Sequence, residues 1–229
     1  MLSLNLPEDP AAPLKLLCLG AHSDDIEIGC GGTILQLLAA RGNVHVVWVV
    51  FSSPGPREPE ARTAASLFLE QAREQKVILG KFRDGYFPYQ GADIKDFFEE
   101  LKKAENPDLI FTHYRSDRHQ DHRTISDLTW NTWRQHLILE YEVVKYDGDL
   151  GIPNFFVPLA RDICARKIKY ICDVFQTERN KAWMTGDAFQ AIARLRGVEC
   201  AAPDSYAEAF HCRKVVLGRG SAVEPTRRE

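Results

Sequence analysis

The sequence predicts an α/β protein in which helices cover both faces of a mostly parallel sheet, with an elaborated C-terminal part of α+β type. Two observations predict this fold class. Short apolar and β-branched runs alternate with longer segments of helical periodicity over the first half of the chain. From residue 137 the order changes to a strand-like pattern, two helical segments and a closing strand. Repeated βα units place parallel strands between two layers of helices.

The first half of the chain contains the predicted parallel strands and the helices that connect them. Its apolar runs are short and β-branched, as is typical of buried strands. Gly42 closes the first helical segment, and Pro107 ends the last of them. The predicted strands cover residues 14–19, 44–51, 76–79 and 109–112, and the predicted helices cover residues 33–41, 59–75 and 93–104.

The C-terminal half follows a different order. Apolar and polar residues alternate over 138–146, and glycine and proline residues then indicate a turn. Further strands are predicted at 154–159 and 206–217, and helices at 162–175 and 185–195. Without an internal repeat or a long linker, we expect one domain over residues 1–229. It divides into an extended leader at 1–13, a core at 14–135, a C-terminal elaboration at 136–217 and a flexible tail at 218–229.

Composition excludes several classes of function. With 45% hydrophobic and 27% charged residues, the 229-residue chain is predicted to be globular rather than disordered. A net charge of −3 offers no broad basic surface for nucleic acid or anionic lipid. No apolar run approaches the roughly 20 residues that a membrane-spanning helix needs. The N-terminus does not resemble a secretory signal, and the six cysteines form no CxxC pair. We therefore expect a cytoplasmic protein with reduced thiols.

A first cluster of polar residues follows the first predicted strand. It contains His22, Asp24 and Asp25 within the glycine-bearing segment 20–32. Ligands of open α/β sheets bind at the carboxyl ends of the strands, where this segment begins. Adjacent carboxylates repel one another, and a divalent cation would offset that repulsion. The alternative is a glycine-rich loop whose two aspartates favour the positive end of the following helix.

A second cluster, at residues 113–122, follows the fourth predicted strand and should open onto the same edge of the sheet. It holds three of the seven histidines of the chain. Zinc enzymes typically use three His or carboxylate ligands and leave a fourth position to water. His22, Asp25 and His122 could form such a set. The alternative here is a solvated polar loop, since Arg115 and Arg118 are interleaved with the histidines.

The two segments AHSDDIEIGCGG and HYRSDRHQDH resemble the signature motifs A-H-P-D-D-E and H-x-D-H of the PIG-L or LmbE-like zinc-dependent de-N-acetylases. The resemblance covers roughly the first 135 residues and is weaker at residues 206–210, YAEAF. It implies a Rossmann-like fold. The chain departs from the family pattern at Ser23, where proline is usual, and at Ile26, where glutamate is usual and Glu27 follows one position later.

The resemblance also implies roles for individual residues. Asp24 would be the general base, and His119, oriented by Asp121, the group that stabilises the oxyanion or supplies a proton. Arg57, in an R-x-x-E pattern, and Asp84 match positions that contact sugar hydroxyls or a linked polar group in the family. The implied ligands of Zn²⁺, or of another divalent cation, are His22, Asp25 and His122.

The implied activity is hydrolysis of an N-acetyl group on an amino sugar or an N-acetylglucosaminyl-type glycoside, which makes the expected partner a small acetylated molecule. Assembly into a homo-oligomer is left open. One alternative is a Rossmann-type nucleotide or S-adenosylmethionine-binding enzyme that uses residues 29–32 as its cofactor loop. A further alternative is a non-catalytic zinc-containing carbohydrate-binding protein.

Overall fold

A mixed sheet forms the centre of residues 12–216, the part of the chain that the computed structural model describes. The predicted tail and all but the last two residues of the predicted leader lie outside the described residues. The sheet has seven strands in the order β3-β2-β1-β4-β5-β7-β6. The strands are β1 (Leu14–Gly20), β2 (Val44–Val50), β3 (Glu74–Leu79), β4 (Leu109–His113), β5 (Leu137–Tyr141), β6 (Phe155–Leu159) and β7 (Tyr206–Cys212).

Five of these strands, β1 to β5, pair in parallel, whereas β7 runs antiparallel to both β5 and β6. The predicted fold class is therefore confirmed: the βα units of the first half build the parallel part, and the later elements extend its edge. The helices are α1 (Asp25–Ala40), α2 (Arg57–Phe68), α3 (Gly91–Ala104), α4 (Gln120–Thr132), α5 (Arg161–Val174) and α6 (Gly186–Glu199).

Two hydrophobic clusters cover the two faces of the sheet. One lies beneath α1, α2 and α5 and includes Trp48, Phe111 and Tyr141. The other lies beneath α3 and α4 and includes Phe51 and Trp133. Because the central strands are apolar toward both layers, they read as continuous apolar runs in the sequence rather than as alternating ones.

Helix α1 begins at Asp25, eight residues before the predicted start at residue 33, so that prediction is wrong. The glycines that indicated a loop lie inside the helix. A Cβ atom on Gly29 would lie 2.1 Å from the ring of Tyr141, and one on Gly31 would lie 2.5 Å from the ring of Phe68. The glycines therefore let the helix approach its neighbours closely, and the segment 29–32 does not form a cofactor loop.

Three other predicted boundaries also need correction. The strand-like alternation over 138–146 forms β5 only as far as Tyr141. The helix predicted at 59–75 ends at Phe68, and β3 begins at Glu74. The closing strand predicted at 206–217 ends at Cys212. Polar residues extended the helical pattern past Phe68, and the apolar Val215 and Val216 extended the predicted closing strand. The strand itself ends at Cys212, where its pairing with β5 ends.

A buried ion pair links the middle of α1 to the C-terminal part. The carboxylate of Glu208 on β7 accepts hydrogen bonds from the backbone N–H groups of Gly32 and Thr33, at 2.8 and 2.6 Å. Lys167 on α5 donates to Glu208 and to the carbonyl of Ile28, both at 2.6 Å. Glu208 is the acid of the YAEAF segment, so this segment fixes the helix whose N-terminus carries Asp25.

Among residues 12–216, none of the helices combines the length and the hydropathy needed to cross a bilayer. All six cysteines lie in this range, and none of them forms a disulfide. The cytoplasmic location and the division of the chain into leader, core, elaboration and tail stay predictions.

Candidate active site

The two polar clusters meet at the carboxyl ends of β1 and β4, which are neighbours in the sheet. The first cluster forms the turn between β1 and α1, and the second forms the turn between β4 and α4. Nδ1 of His22 lies 3.3 Å from Nε2 of His122. Both side chains are buried. The structure thus brings together the segments that the sequence placed at one edge of the sheet.

Three of the predicted ligand side chains converge on one point. The Asp25 carboxylate lies 3.4 Å from Nδ1 of His22 and 3.4 Å from Nε2 of His122. Ligand atoms about 2.0–2.2 Å from a zinc ion at tetrahedral angles are roughly 3.3–3.6 Å apart. The two Asp25 distances run to different oxygens, Oδ2 for His22 and Oδ1 for His122. The spacing of the two imidazole nitrogens therefore fits two corners of a tetrahedron around a zinc-sized cation, the Asp25 carboxylate lies beside both, and the His and carboxylate donors fit the chemistry of zinc.

Carboxylates hold the far nitrogens of both imidazoles. Nε2 of His22 lies 3.1 Å from Asp84 and 3.2 Å from Asp121. Nδ1 of His122 lies 2.9 Å from Asp117. A carboxylate can only accept hydrogen bonds when ionised, so each of these contacts places the ring proton on the far nitrogen. When the two rings are neutral, their near nitrogens carry lone pairs that face one another across the site.

His113, which ends β4, is a site residue that the sequence analysis assigned no role. Its Nε2 accepts a hydrogen bond of 2.9 Å from the backbone N–H of Ala21, and its ring stacks on His122 with centroids 3.9 Å apart. Nε2 also lies 3.3 Å from Asp25. Because the Ala21 N–H occupies its lone pair, His113 supports the turn that carries His22. Its position at the end of a strand within the second cluster was the available signal.

Overlapping groups of side chains at this edge have donor atoms close enough to hold an ion. Each shares at least one member with the predicted set His22, Asp25 and His122, although none consists of these three residues, and the group with Asp84 and Asp121 meets His22 at its far nitrogen, Nε2. Within the described residues these groups are His22, His119 and His122; Asp25, His113 and His122; and His22, Asp84 and Asp121.

Asp24 precedes α1, next to the predicted ligand Asp25, and is buried. Although it occupies the N-cap position, its side chain makes no capping hydrogen bond. Oδ1 lies 3.4 Å from Arg57, and Oδ2 is buried without a hydrogen-bond partner. Burial and the adjacent Asp25 raise the pKa of Asp24 to about 6, against the opposing charge of Arg57. The carboxylate is therefore free to receive a proton.

His119 is the N-cap residue of α4, and its ring lies next to those of both predicted histidine ligands, with centroids 4.9 Å from His22 and 4.6 Å from His122. Its Nδ1 accepts a 3.3 Å hydrogen bond from the backbone N–H of Asp121. The Asp121 carboxylate itself accepts from the N–H groups of Gly85 and Phe87, at 2.7 and 3.1 Å. Burial and the nearby His22 lower the pKa of His119.

Arg57 lies among three carboxylates at the rim. It is 3.4 Å from Asp24, 3.4 Å from Asp84 and 3.3 Å from Glu178. Glu178 is a buried residue that the sequence analysis did not find, and it belongs to the 3₁₀ turn Gln176–Glu178. No local pattern marked it, since its contact with Arg57 depends on how the C-terminal part packs on α2.

A cavity of about 590 Å³ opens at the other end of the sheet, beside the first residues of β1. None of the residues of the two polar clusters lines it. The cavity and the converging side chains therefore lie at opposite ends of the sheet.

Comparison with known proteins identifies the family and the fold. The family PIG-L, GlcNAc-PI de-N-acetylase, matches residues 17–133. The uncharacterized deacetylase YaiS of Escherichia coli is 28% identical over 157 residues, which are 57% of this chain and 82% of that protein.

Among solved structures, N,N'-diacetylchitobiose deacetylase from Pyrococcus horikoshii superposes with a TM-score of 0.66 at 23% identity, over 86% of this chain and 83% of its own. The 4-carboxy-2-hydroxymuconate hydratase GalB from Pseudomonas putida superposes with a TM-score of 0.67 at 16% identity, over 91% of this chain and all of its own (100%). The shared fold thus supports more than one chemistry, and the site residues must decide between them.

Proposed function

Because this chain belongs to the PIG-L family, we propose that it is a zinc-dependent hydrolase that removes the N-acetyl group from an amino sugar or an N-acetylglucosaminyl-type glycoside. The observation that carries this proposal is the convergence of His22, Asp25 and His122 beside a buried carboxylate, Asp24, that has a free oxygen atom. Metal-assisted amide hydrolysis uses a cation site and a general base in contact with the same water molecule, and these residues are suited to both roles.

His22, Asp25 and His122 would hold the cation. A bound zinc ion supplies Lewis acidity, which polarises a carbonyl group and lowers the pKa of water toward neutrality. The mixed nitrogen and oxygen donors favour zinc over magnesium or calcium, which prefer oxygen ligands alone.

Asp24 would act as the general base. Since its pKa of about 6 lies above the usual range for aspartate but below neutral pH, the carboxylate is ionised near pH 7 and accepts a proton readily. Its Oδ2 has no competing hydrogen-bond partner. Asp24 would take the proton of the attacking water and could later deliver it to the leaving amine.

His119 would stabilise the oxyanion. Because its Nδ1 accepts from the backbone N–H of Asp121, the neutral ring carries its proton on Nε2 and can donate it. A donor in this position compensates the charge that develops on the carbonyl oxygen during attack. The role proposed for Asp121 is to fix this orientation through its N–H, while its carboxylate anchors the loop at Gly85 and Phe87.

Asp84 and Arg57 would contribute to binding the sugar. The Asp84 side chain is 43% exposed, so it can accept a hydrogen bond from a sugar hydroxyl without moving other groups. Arg57 is mostly buried and divides its contacts among Asp24, Asp84 and Glu178. We therefore propose that Arg57 acts mainly by holding Asp24 and Asp84 in place.

The proposal is tested by screening acetylated amino sugars and their glycosides for release of free amine, with and without a chelator. We expect amine release that stops on chelation and returns with added zinc. His22→Ala should abolish it, and His136→Ala, a histidine outside the site, should not. A protein that binds zinc but releases no amine from any N-acetyl compound in the screen would contradict the proposal. Such a result would favour a hydratase reaction, as the name of the structural neighbour GalB describes. Nucleotide or S-adenosylmethionine binding without metal would favour the cofactor-binding alternative.

A further inference from the structure

Three buried charged side chains, Asp117, Lys145 and Asp149, follow one another from Nδ1 of His122, the ring nitrogen that points away from His22 and Asp25. Oδ2 of Asp117 is 2.9 Å from Nδ1 of His122 and 3.0 Å from Nζ of Lys145. Oδ1 of the same carboxylate accepts a 2.7 Å hydrogen bond from the backbone N–H of His119. Asp117 thus contacts two residues of the second motif and one residue from a different part of the chain.

Lys145 lies on the loop after β5, and its partner Asp149 lies on the same loop. Nζ of Lys145 donates to both carboxylate oxygens of Asp149, at 2.6 and 2.5 Å. Asp149 in turn accepts from the backbone N–H of Arg118 at 2.6 Å. The side chains of Asp117, Lys145 and Asp149 are all less than one-tenth exposed. One buried ammonium therefore contacts two carboxylates, and both carboxylates accept hydrogen bonds from the backbone before α4.

The contact with Asp117 decides which nitrogen of His122 carries the proton. Asp117 accepts from Nδ1, so Nε2 is left with the lone pair that faces Asp25 and His22. If Asp117 turned away, the neutral ring could instead place its proton on Nε2 and would no longer be ready to bind a cation. In addition to the hydrogen bond from His122, the ammonium of Lys145 contacts the buried Asp117 carboxylate and so helps to keep it ionised and in place, since an isolated buried charge is strongly disfavoured.

We propose that Lys145 is a positioning residue for the cation site: it holds Asp117 against Nδ1 of His122 and thereby fixes His122 as a ligand through Nε2. This inference rests on the proposed function only in taking His122 as a ligand. The loop after β5 carries no motif residue, yet through Lys145 it would help to orient a ligand of the cation site.

The test compares substitutions at two lysines that each form an ion pair with an aspartate, one buried and one exposed. Lys145 and Lys169 each pair with an aspartate four residues later, but Lys169 and Asp173 are exposed. Lys145→Met removes the buried ammonium, Lys145→Arg retains a charge, and Lys169→Met is the matched control. Zinc affinity is measured on metal-free protein by competition with a chromophoric chelator, and circular dichroism checks folding.

Loss of an outer partner of a metal-binding histidine typically weakens metal affinity by about 10–100-fold. We expect Lys145→Met and Asp117→Asn to weaken zinc binding within this range. Lys145→Arg should recover most of the affinity, and Lys169→Met should leave it unchanged. A folded Lys145→Met protein that binds zinc as tightly as the wild type would overturn the proposal.

A second measurement covers the case in which Lys145→Met does not fold. Nitrogen-15 NMR of the metal-free wild-type protein reports the tautomer of His122, which we expect to carry its proton on Nδ1. A proton on Nε2 would refute the inference without any variant. If the wild type bound no zinc at all, the proposed function would fail, whereas the tautomer would still decide this inference.

Discussion

Nδ1 of His22 lies 3.3 Å from Nε2 of His122, although 100 positions separate the two residues in the chain. The sheet order explains this proximity. Strands β1 and β4 are hydrogen-bonded neighbours, with Leu16 opposite Leu109, so the turns that follow them open at the same edge. The carboxyl ends of parallel strands are where α/β proteins bind ligands. The topology therefore builds the candidate site from two turns that are distant in sequence.

Asp24→Asn should separate catalysis from metal binding. An amide in place of the carboxylate cannot accept a proton, so amine release should fall by about 10²–10⁴-fold, the usual contribution of a general base. Zinc affinity should change little, because Asp24 is not one of the converging ligands. Turnover assays and zinc competition on the same preparation check both parts. Unchanged turnover would favour a non-catalytic zinc protein.

Arg57→Met should move the acidic limb of the pH–rate profile to higher pH. The guanidinium opposes the effects of burial and Asp25, which raise the pKa of Asp24 to about 6. Removing this cation raises the pKa further, so a smaller fraction of Asp24 is ionised at a given acidic pH. Arg62→Met, at an exposed position on the same helix, is the control. A limb that stays in place, or moves to lower pH, would show that Arg57 does not act through Asp24.

Gly29→Ala should destabilise the protein because its Cβ would lie 2.1 Å from the Tyr141 ring. Overpacking of this kind typically costs about 1–3 kcal/mol. Gly91→Ala is the matched control, because that glycine lies at the start of α3 with no atom near an added Cβ and with an ordinary φ of −55°. The control should be neutral or stabilising. Urea denaturation measures both variants, and equal midpoints would refute close packing at Gly29.

His211→Phe should make stability less sensitive to acid. Burial and the charge of Arg196 lower the pKa of His211 from 6.5 to about 4, and its ring stacks on Tyr114. Between pH 6.5 and pH 4, His211 is therefore protonated in the unfolded chain but neutral in the folded protein. Its contribution to the free energy of unfolding is full above pH 6.5 and is lost as the pH falls toward 4. Phenylalanine keeps the stacking and removes the proton. Urea midpoints of metal-free protein at pH 7 and 4.5 should differ less in the variant than in the wild type.

The sequence predicted the parallel core and the meeting of the two motifs because both depend on local signals. Apolar runs mark the buried strands, and alternation with helices fixes their direction. Helix α1 was predicted to begin too late because Gly29, Gly31 and Gly32 favour loops when read locally. In the folded protein they are required for close approach to Tyr141, Phe68 and Leu159. Only the tertiary partner distinguishes these two uses of glycine.

The contacts that support the motif residues could not be predicted in this way. Glu178 reaches Arg57 from a 3₁₀ turn, and Lys145 reaches Asp117 from the loop after β5. Both contacts bring the C-terminal part, which has no strong sequence pattern, against the N-terminal core. Each motif supplied the identity of the candidate ligands, whereas their orientation depends on packing between distant segments.

The central claim is that His22, Asp25 and His122 together hold one cation. Zinc titration of metal-free protein, followed by elemental analysis after gel filtration, tests it most directly. We predict one tightly held zinc ion per chain in the wild type, and loss of that ion in both His22→Ala and His122→Ala, with retention in His136→Ala. A folded wild-type protein that retains no divalent ion, or histidine variants that retain zinc as well as the wild type, would contradict the account.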